Sequence, residues 1–170
     1  MEPHAPQFIT STVVGWLPVF TTEARCQIIV DALDYCRQHK GLRVYGWVIL
    51  DSHLHAVVAA PDVPRVMADF KRHTARQLVE QLKKEDCAWL LRLMREACPG
   101  YKEESDYQVW QEGYHPQAIV SDAVMEQKLT YLHNNPVKRG LAAAPGHWRY
   151  SSAHEWCPGV VPVMRCDAWK

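Results

Sequence analysis

The sequence has no excess of either charge: 19 Lys and Arg offset 19 Asp and Glu over 170 residues. A generally basic surface is therefore excluded, and any contact with nucleic acid has to come from a local cluster of cations. No window approaches the ~20 apolar residues that a membrane span requires, and the first twenty residues lack a basic start followed by an unbroken apolar segment. The expectation is a soluble, cytoplasmic protein with no membrane partner. The six cysteines, Cys26, Cys36, Cys87, Cys98, Cys157 and Cys166, form no CxxC pair. They are read as reduced thiols that act as small hydrophobes, with a zinc site or disulfide framework as the lesser alternative. There is no GxxxxGK[ST] phosphate loop, no internal repeat and no low-complexity segment. What is plentiful is apolar: 48% of residues are in the hydrophobic set, enough for one domain around a single core.

Local patterns define the layout. FITSTVV from Phe8 to Val14 is β-branched and aromatic, which predicts a first strand. From Glu23 to Lys40, Ile28, Ile29, Ala32, Leu33 and Cys36 recur at helical spacing, and Gly41 follows as a stop. LRVYGWVIL and HLHAVVAA read as two strands joined by a tight hairpin at Asp51-Ser52. Pro61 and Pro64 precede a long helix over about 66–84, with Met67, Phe70, Thr74, Leu78 and Leu82 on its inner side. CAWLLRLMREAC predicts a shorter helix, and YQVWQEGYHPQAIV a fourth strand interrupted between Gly113 and Pro116. A last helix starts at a Ser121 or Asp122 cap and runs to Asn135, since Pro136 disfavours its continuation. This order implies an α+β fold, an antiparallel sheet of four to five strands with helices packed on it.

Two features stand out against that frame. On a strand, side chains two apart share a face, so His53 and His55 project together, roughly 6 to 7 Å apart at the backbone. Both imidazoles then reach one ion, or they form a hydrogen-bonded core pair; each ring buried without a partner would cost about 1–3 kcal/mol. In the last helix, Tyr131 and Asn135 are four residues apart and stack on one face, with Lys128 and Val124 extending the stripe. Met125, Leu129 and Leu132 mark the core side, which leaves Tyr131 at the border. It is either a packing residue or a phenol exposed enough to react.

A hydrophobic strand ending in a hairpin and His-Leu-His, followed later by YLHNNPVKRGLAAAPGHWRYSS, resembles the single-tyrosine transposases of the HUH superfamily, and within them the REP-associated tyrosine transposases. The likeness is carried by Tyr131, Asn135-Pro136-Val137, Gly140-Leu141, Trp148 and Ser151-Ser152 in that order, and by Trp110-Gln111 in the segment before the tyrosine helix. It extends from about Phe8 to Trp156, so residues 1–156 are expected to form the transposase domain and 157–170 a C-terminal tail; the stretch from Glu155 to Lys170, with Trp156 and Trp169, is a candidate lid. Where the family usually has Pro-Asn before the histidine pair, this chain has Asp51-Ser52.

The resemblance implies a ferredoxin-like, HUH endonuclease architecture. It implies His53 and His55 as ligands of Mg²⁺ or Mn²⁺, Asn135 as a third ligand with His133 and Asn134 as substitutes, and Tyr131 as the nucleophile. The implied activity is nicking of single-stranded DNA and strand transfer through a 5′-phosphotyrosine, with DNA transposition or hairpin processing as its outcome. The implied partner is single-stranded DNA beside a hairpin, held by a nucleoid-associated monomer or homodimer. Arg65, Lys71, Arg72, Arg76, Lys128, Lys138 and Arg139 are the candidate phosphate contacts, and Trp148 and Tyr150 either stack on bases or pack the C-terminal segment. Two other readings stay open. One is an idle descendant that only binds hairpin DNA, and the other an unrelated zinc hydrolase built on His53, His55 and a further histidine such as His115.

Overall fold

The computed structural model describes residues 5–102 and 105–169. Four strands, β1 (Gln7–Thr12), β2 (Arg43–Ile49), β3 (His53–Ala59) and β4 (Gln117–Ala118), form one antiparallel sheet in the order β2-β3-β1-β4. Four helices accompany it: α1 (Glu23–His39), α2 (Val63–Lys84), α3 (Ala88–Glu96) and α4 (Asp122–Lys138). This is the expected α+β architecture, with the ferredoxin-like strand order. Helix starts follow side-chain capping, with Thr22, Asp62 and Ser121 each accepting a backbone N–H from the first turn of α1, α2 and α4.

Strand alternation splits the core in two. Ile9, Val44, Ile49, Leu54, Ala56 and Val58 face α1 and α2 and join one apolar cluster with Ile29, Leu33, Met67, Phe70, Leu78 and Leu82. Phe8, Tyr45, Val48, Val57 and Ala59 face the other way and pack with Met125 and Leu132 of α4. A bulge between Val44 and Gly46 shifts the register of β2. Gly46 lies where α4 crosses, and a Cβ there would run into Leu129 Cδ2.

Three boundaries differ from the sequence reading. The long helix begins at Val63, because Pro64 sits in its first turn, where a missing N–H costs no hydrogen bond. The fourth strand shrinks to two residues; the stretch before it is irregular and meets the sheet through a bridge between Val13 and Trp110, a bond from Gln111 N–H to the Thr12 carbonyl and the Tyr114 hydroxyl on Gln7. The last helix runs through Pro136 to Lys138, its end closed by bonds from Arg139 N–H to the Asn135 carbonyl (3.0 Å) and from Leu141 N–H to the Pro136 carbonyl (2.8 Å). Pro136 is buried against the fold, so tertiary packing overrides the local preference. The Asp51-Ser52 hairpin is as expected, closed by Leu50 N–H donating to the His53 carbonyl at 2.8 Å.

The tail does not cover the histidines. Asp167 accepts from Val44 N–H (2.8 Å) and pairs with Arg37 (3.1 Å), while Trp169 packs edge-on against Tyr45 and its indole N–H reaches Asp122, so the segment runs from the β2 edge to the start of α4. All six cysteines are free thiols, and among the described residues no helix is long and apolar enough to cross a membrane.

Candidate active site

His53 and His55 lie at the start of β3 on the face turned toward α4, and both are buried, at 3% and 6% exposure. Register decides their environment. Thr10 is the cross-strand partner of His55, and its hydroxyl sits 2.7 Å from His55 Nδ1. Ser52 Oγ lies 3.2 Å from His53 Nδ1. With Nδ1 of each ring engaged by a hydroxyl, Nε2 is the nitrogen left for another ligand, the usual role of a hydrogen-bonded outer partner at a metal-binding histidine. The rings meet edge to face, centroids 4.6 Å apart.

Burial, reinforced by Arg139, pushes the His53 pKa down to about 4. Burial, with His53, Arg139 and Lys128 adding to it, pushes His55 down to about 3. Both imidazoles are therefore neutral at pH 7, the form that donates a lone pair to a cation.

Helix α4 brings Tyr131 to the same spot. Its ring centroid is 5.6 Å from that of His55 and 5.8 Å from that of Phe8, both edge-on, and Phe8 in turn stacks on His55 at 5.3 Å. Tyr131 is 40% exposed, so its phenol is wedged against the imidazole yet open to an incoming strand. Lys138 Nζ stands 5.7 Å from the Tyr131 ring, and Lys128 Nζ 4.9 Å from the Phe8 ring. Asn135 follows Tyr131 by one turn on unbroken helix and is only 7% exposed. Its side-chain amide offers an oxygen of the kind that suits a hard cation. Two neutral imidazoles and an amide oxygen are compatible with a small divalent ion.

The other candidate ligands are turned away. His133 Nε2 is 2.7 Å from Ser152 Oγ and its ring packs on Trp156, on the far side of α4. The Asn134 amide donates to the Thr130 carbonyl at 3.0 Å. His115 lies by Thr10, Ser11 and Met67 at the outer edge of β1. Among the described residues no cluster of three His, Cys, Asp or Glu side chains exists, so His115 does not join the His53 and His55 pair. Asp51 is engaged by Arg139 at 3.0 Å.

The candidate phosphate contacts fall into two groups. Lys128, Lys138 and Arg139 rim the histidine and tyrosine site. Arg65, Lys71, Arg72 and Arg76 ride on α2, which packs on the opposite face of the sheet. Lys71, Arg72 and Arg76 line a groove of about 550 Å³ between α2 and residues 105–114, together with Tyr107 and Tyr114. Lys71 donates to the Gly113 carbonyl (3.3 Å) and Arg72 pairs with Asp69 (3.0 Å), while Arg65 is exposed outside that groove. Trp148 and Tyr150 are tied into the fold: the half-buried Trp148 indole donates to the Ile49 carbonyl at 2.8 Å, and Tyr150 is buried at 8% exposure.

A sheet with the 2-3-1-4 strand order, a histidine pair on its central strand and a tyrosine helix laid across that face defines an α+β protein of the transposase type in fold. Comparison with known proteins gives the particulars. The chain is 26% identical over 117 residues, 69% of its length, to the Haemophilus influenzae protein named "Putative REP-associated tyrosine transposase", and spans 62% of that relative. It superposes with a TM-score of 0.64 on the "Structure of the REP associates tyrosine transposase bound to a REP hairpin", at 18% identity, covering 99% of this chain and 88% of that one. A second solved structure, described as a "putative transposase from deinococcus radiodurans r1", matches with a TM-score of 0.50 and 17% identity over 76% of this chain and 88% of that one. No protein-family model matches. The resemblance read from the sequence is thus met twice, by a curated relative and by a shared fold.

Sequence reasoning missed Thr10, Ser52, Phe8 and Trp16, all of which touch the histidine pair. Only the strand register reveals Thr10 and Phe8. Ser52, adjacent to His53, was visible as a hydroxyl but not as a partner.

Proposed function

We propose that the chain nicks single-stranded DNA beside a hairpin and transfers the strand, using Tyr131 as nucleophile and Mg²⁺ or Mn²⁺ held by His53, His55 and Asn135. The observation that carries this is the contact between Tyr131 and His55, made by one chain across one open face. The cation, when bound, supplies a Lewis acid that polarises the scissile phosphate. Everything else is done by the chain's own residues. Thr10 and Ser52 hold the imidazoles in register, Phe8 and Lys138 flank the Tyr131 ring, and the rim cations Lys128, Lys138 and Arg139 neutralise the flanking phosphates.

In the reaction the Tyr131 oxygen loses its proton and forms a bond to phosphorus, the bond to the 3′-oxygen breaks, and that oxygen leaves as a hydroxyl after gaining a proton. The result is a 5′-phosphotyrosine. A phenol, with a pKa near 10 in model compounds, is a better leaving group than an alkoxide, so a second 3′-hydroxyl reverses the step without an external energy source. Both groups come from the same chain, so a monomer holds a whole site.

The test is incubation with single-stranded oligonucleotides carrying a hairpin, in Mn²⁺, followed by a denaturing gel. The expected result is a covalent protein–DNA species that disappears in Tyr131→Phe while DNA binding persists. Binding without any adduct in the wild type would instead identify a hairpin-binding descendant. Cleavage surviving in Tyr131→Phe would point to an activated water.

A further inference from the structure

The turn after β1 carries Trp16, which is unusual in three respects. Its φ is +55°, in the left-handed region that bulky residues rarely enter, directly after Gly15 at +61°. It is 57% exposed, more than any other aromatic residue that touches the site. Its indole meets the His53 ring edge to face at 5.3 Å. The turn is also fixed in place. Val13 N–H donates to the Ser52 carbonyl (2.8 Å) and Phe20 N–H to the Asp51 carbonyl (2.8 Å), which clamps it to the hairpin that bears the histidines, and Val14 N–H donates to the Val109 carbonyl (2.8 Å) on the segment before β4. Two successive left-handed residues fold the chain back so that a large aromatic plane stands at the mouth of a buried imidazole pair. Nothing in core packing calls for this, because the indole's surface is mostly in solvent. An exposed residue held in a disfavoured conformation beside reactive groups is the pattern of a functional contact.

Across the same imidazoles stand the cations. Arg139 pairs at 3.0 Å with Asp51, two residues before His53, and Lys128 Nζ stands 4.9 Å from the Phe8 ring that stacks on His55. A ligand that matches this rim has an anionic group for the cations and a flat apolar group for the indole. A nucleotide has both.

Resting on the DNA-nicking reading, we infer that Trp16 is the stacking platform for the nucleobase next to the scissile phosphate, which it holds while the phosphate lies at the histidine pair. Trp16 is a positioning residue: it grips the base and leaves the phosphorus chemistry to Tyr131. Because every base offers a π-face, the platform fixes the position of the strand more than its sequence.

The experiment combines the Trp16→Ala and Trp16→Phe variants with abasic substrates. Once the cleaved bond is mapped, a single abasic residue next to it slows adduct formation in the wild type about tenfold, the scale of one lost base stack. The same substitution has no further effect in Trp16→Ala, whereas abasic residues placed farther away affect both proteins equally. Trp16→Phe restores most of the sensitivity, a rescue that a merely structural role for the indole would not produce. In parallel, anisotropy measured in EDTA compares a hairpin with a thymidine extension against the same hairpin with an abasic extension. The wild type prefers the thymidine form and Trp16→Ala loses that preference. Equal sensitivity to the adjacent abasic residue in wild type and Trp16→Ala overturns the inference. If the wild type forms no adduct, the nicking reading has failed, and the EDTA arm alone decides on the platform.

Discussion

The two faces of one four-stranded sheet follow the same alternation rule and end in opposite states. Toward α1 and α2, β3 presents Leu54, Ala56 and Val58, all at 0% exposure, and the space is filled by Met67, Phe70, Leu78 and Leu82. Toward α4, the same strand presents His53 and His55 before it returns to Val57 and Ala59, and the helix lying over them contributes a half-open tyrosine instead of a closing leucine. One face is built to exclude water from everything. The other is as closed at His53 and His55, 3% and 6% exposed, but fills those two positions with imidazoles and opens only at Tyr131. Hydrophobic burial thus fixes where the strands lie, and the site places two polar rings at buried positions that the closed face gives to aliphatic side chains.

This difference makes distinct demands on substitution. The largest stability effect belongs on the closed face: Phe70→Ala should cost about 3–5 kcal/mol in urea unfolding, through lost burial and the cavity left behind. His55→Ala, on the open face, should cost clearly less, and equal costs would break the contrast. Next in size is the response to cation. Mn²⁺ at a hundred times its dissociation constant should stabilise the wild type by about 2.7 kcal/mol, read as a shift in melting temperature. His53→Ala and His55→Ala should lose most of that shift and Phe70→Ala should keep it; an undiminished shift in the histidine variants would remove them from the ligand set.

The smallest effect per step is that of pH. In the unfolded chain a histidine binds its proton near pH 6.5, whereas in the fold His53 does so only near 4 and His55 near 3. Between those values the unfolded state carries more protons, so stability of the metal-free protein is full above 6.5 and falls as pH drops, by at most about 1.4 kcal/mol per pH unit for each ring. His133, pushed down to about 4 by its burial against Ser152 and Trp156, adds to the slope from the other side of α4. A His55→Gln variant should flatten the profile between pH 6.5 and 4, and an unchanged profile would show that His55 is not held neutral.

Much of this was legible in the residues. Periodicity predicted α1, the β2–β3 hairpin and the shared face of His53 and His55, because each rests on local spacing. It also set Tyr131 and Asn135 on one helical face, although Pro136 argued for an end to the helix that packing then overrode. What was not legible depended on register and long-range contact. Thr10 meets His55 only because β1 pairs with β3 in one particular alignment, and the strand order decides that the α2 cations lie on the opposite face from the histidines. Composition left Trp148 as either a base platform or a packing residue, and only the tertiary contact shows its indole bound to the Ile49 carbonyl. Trp16 attracted no notice in the sequence, since a tryptophan after a glycine has no periodic signature.

The most direct test of the central claim is to map the covalent bond. Wild-type protein incubated with a hairpin-bearing single-stranded oligonucleotide and Mn²⁺, digested with trypsin and nuclease, and analysed by mass spectrometry should carry a nucleotide on the peptide from Leu129 to Lys138, at Tyr131. Cleaved DNA with that peptide unmodified, or with the nucleotide on another residue such as Tyr114, would contradict the account.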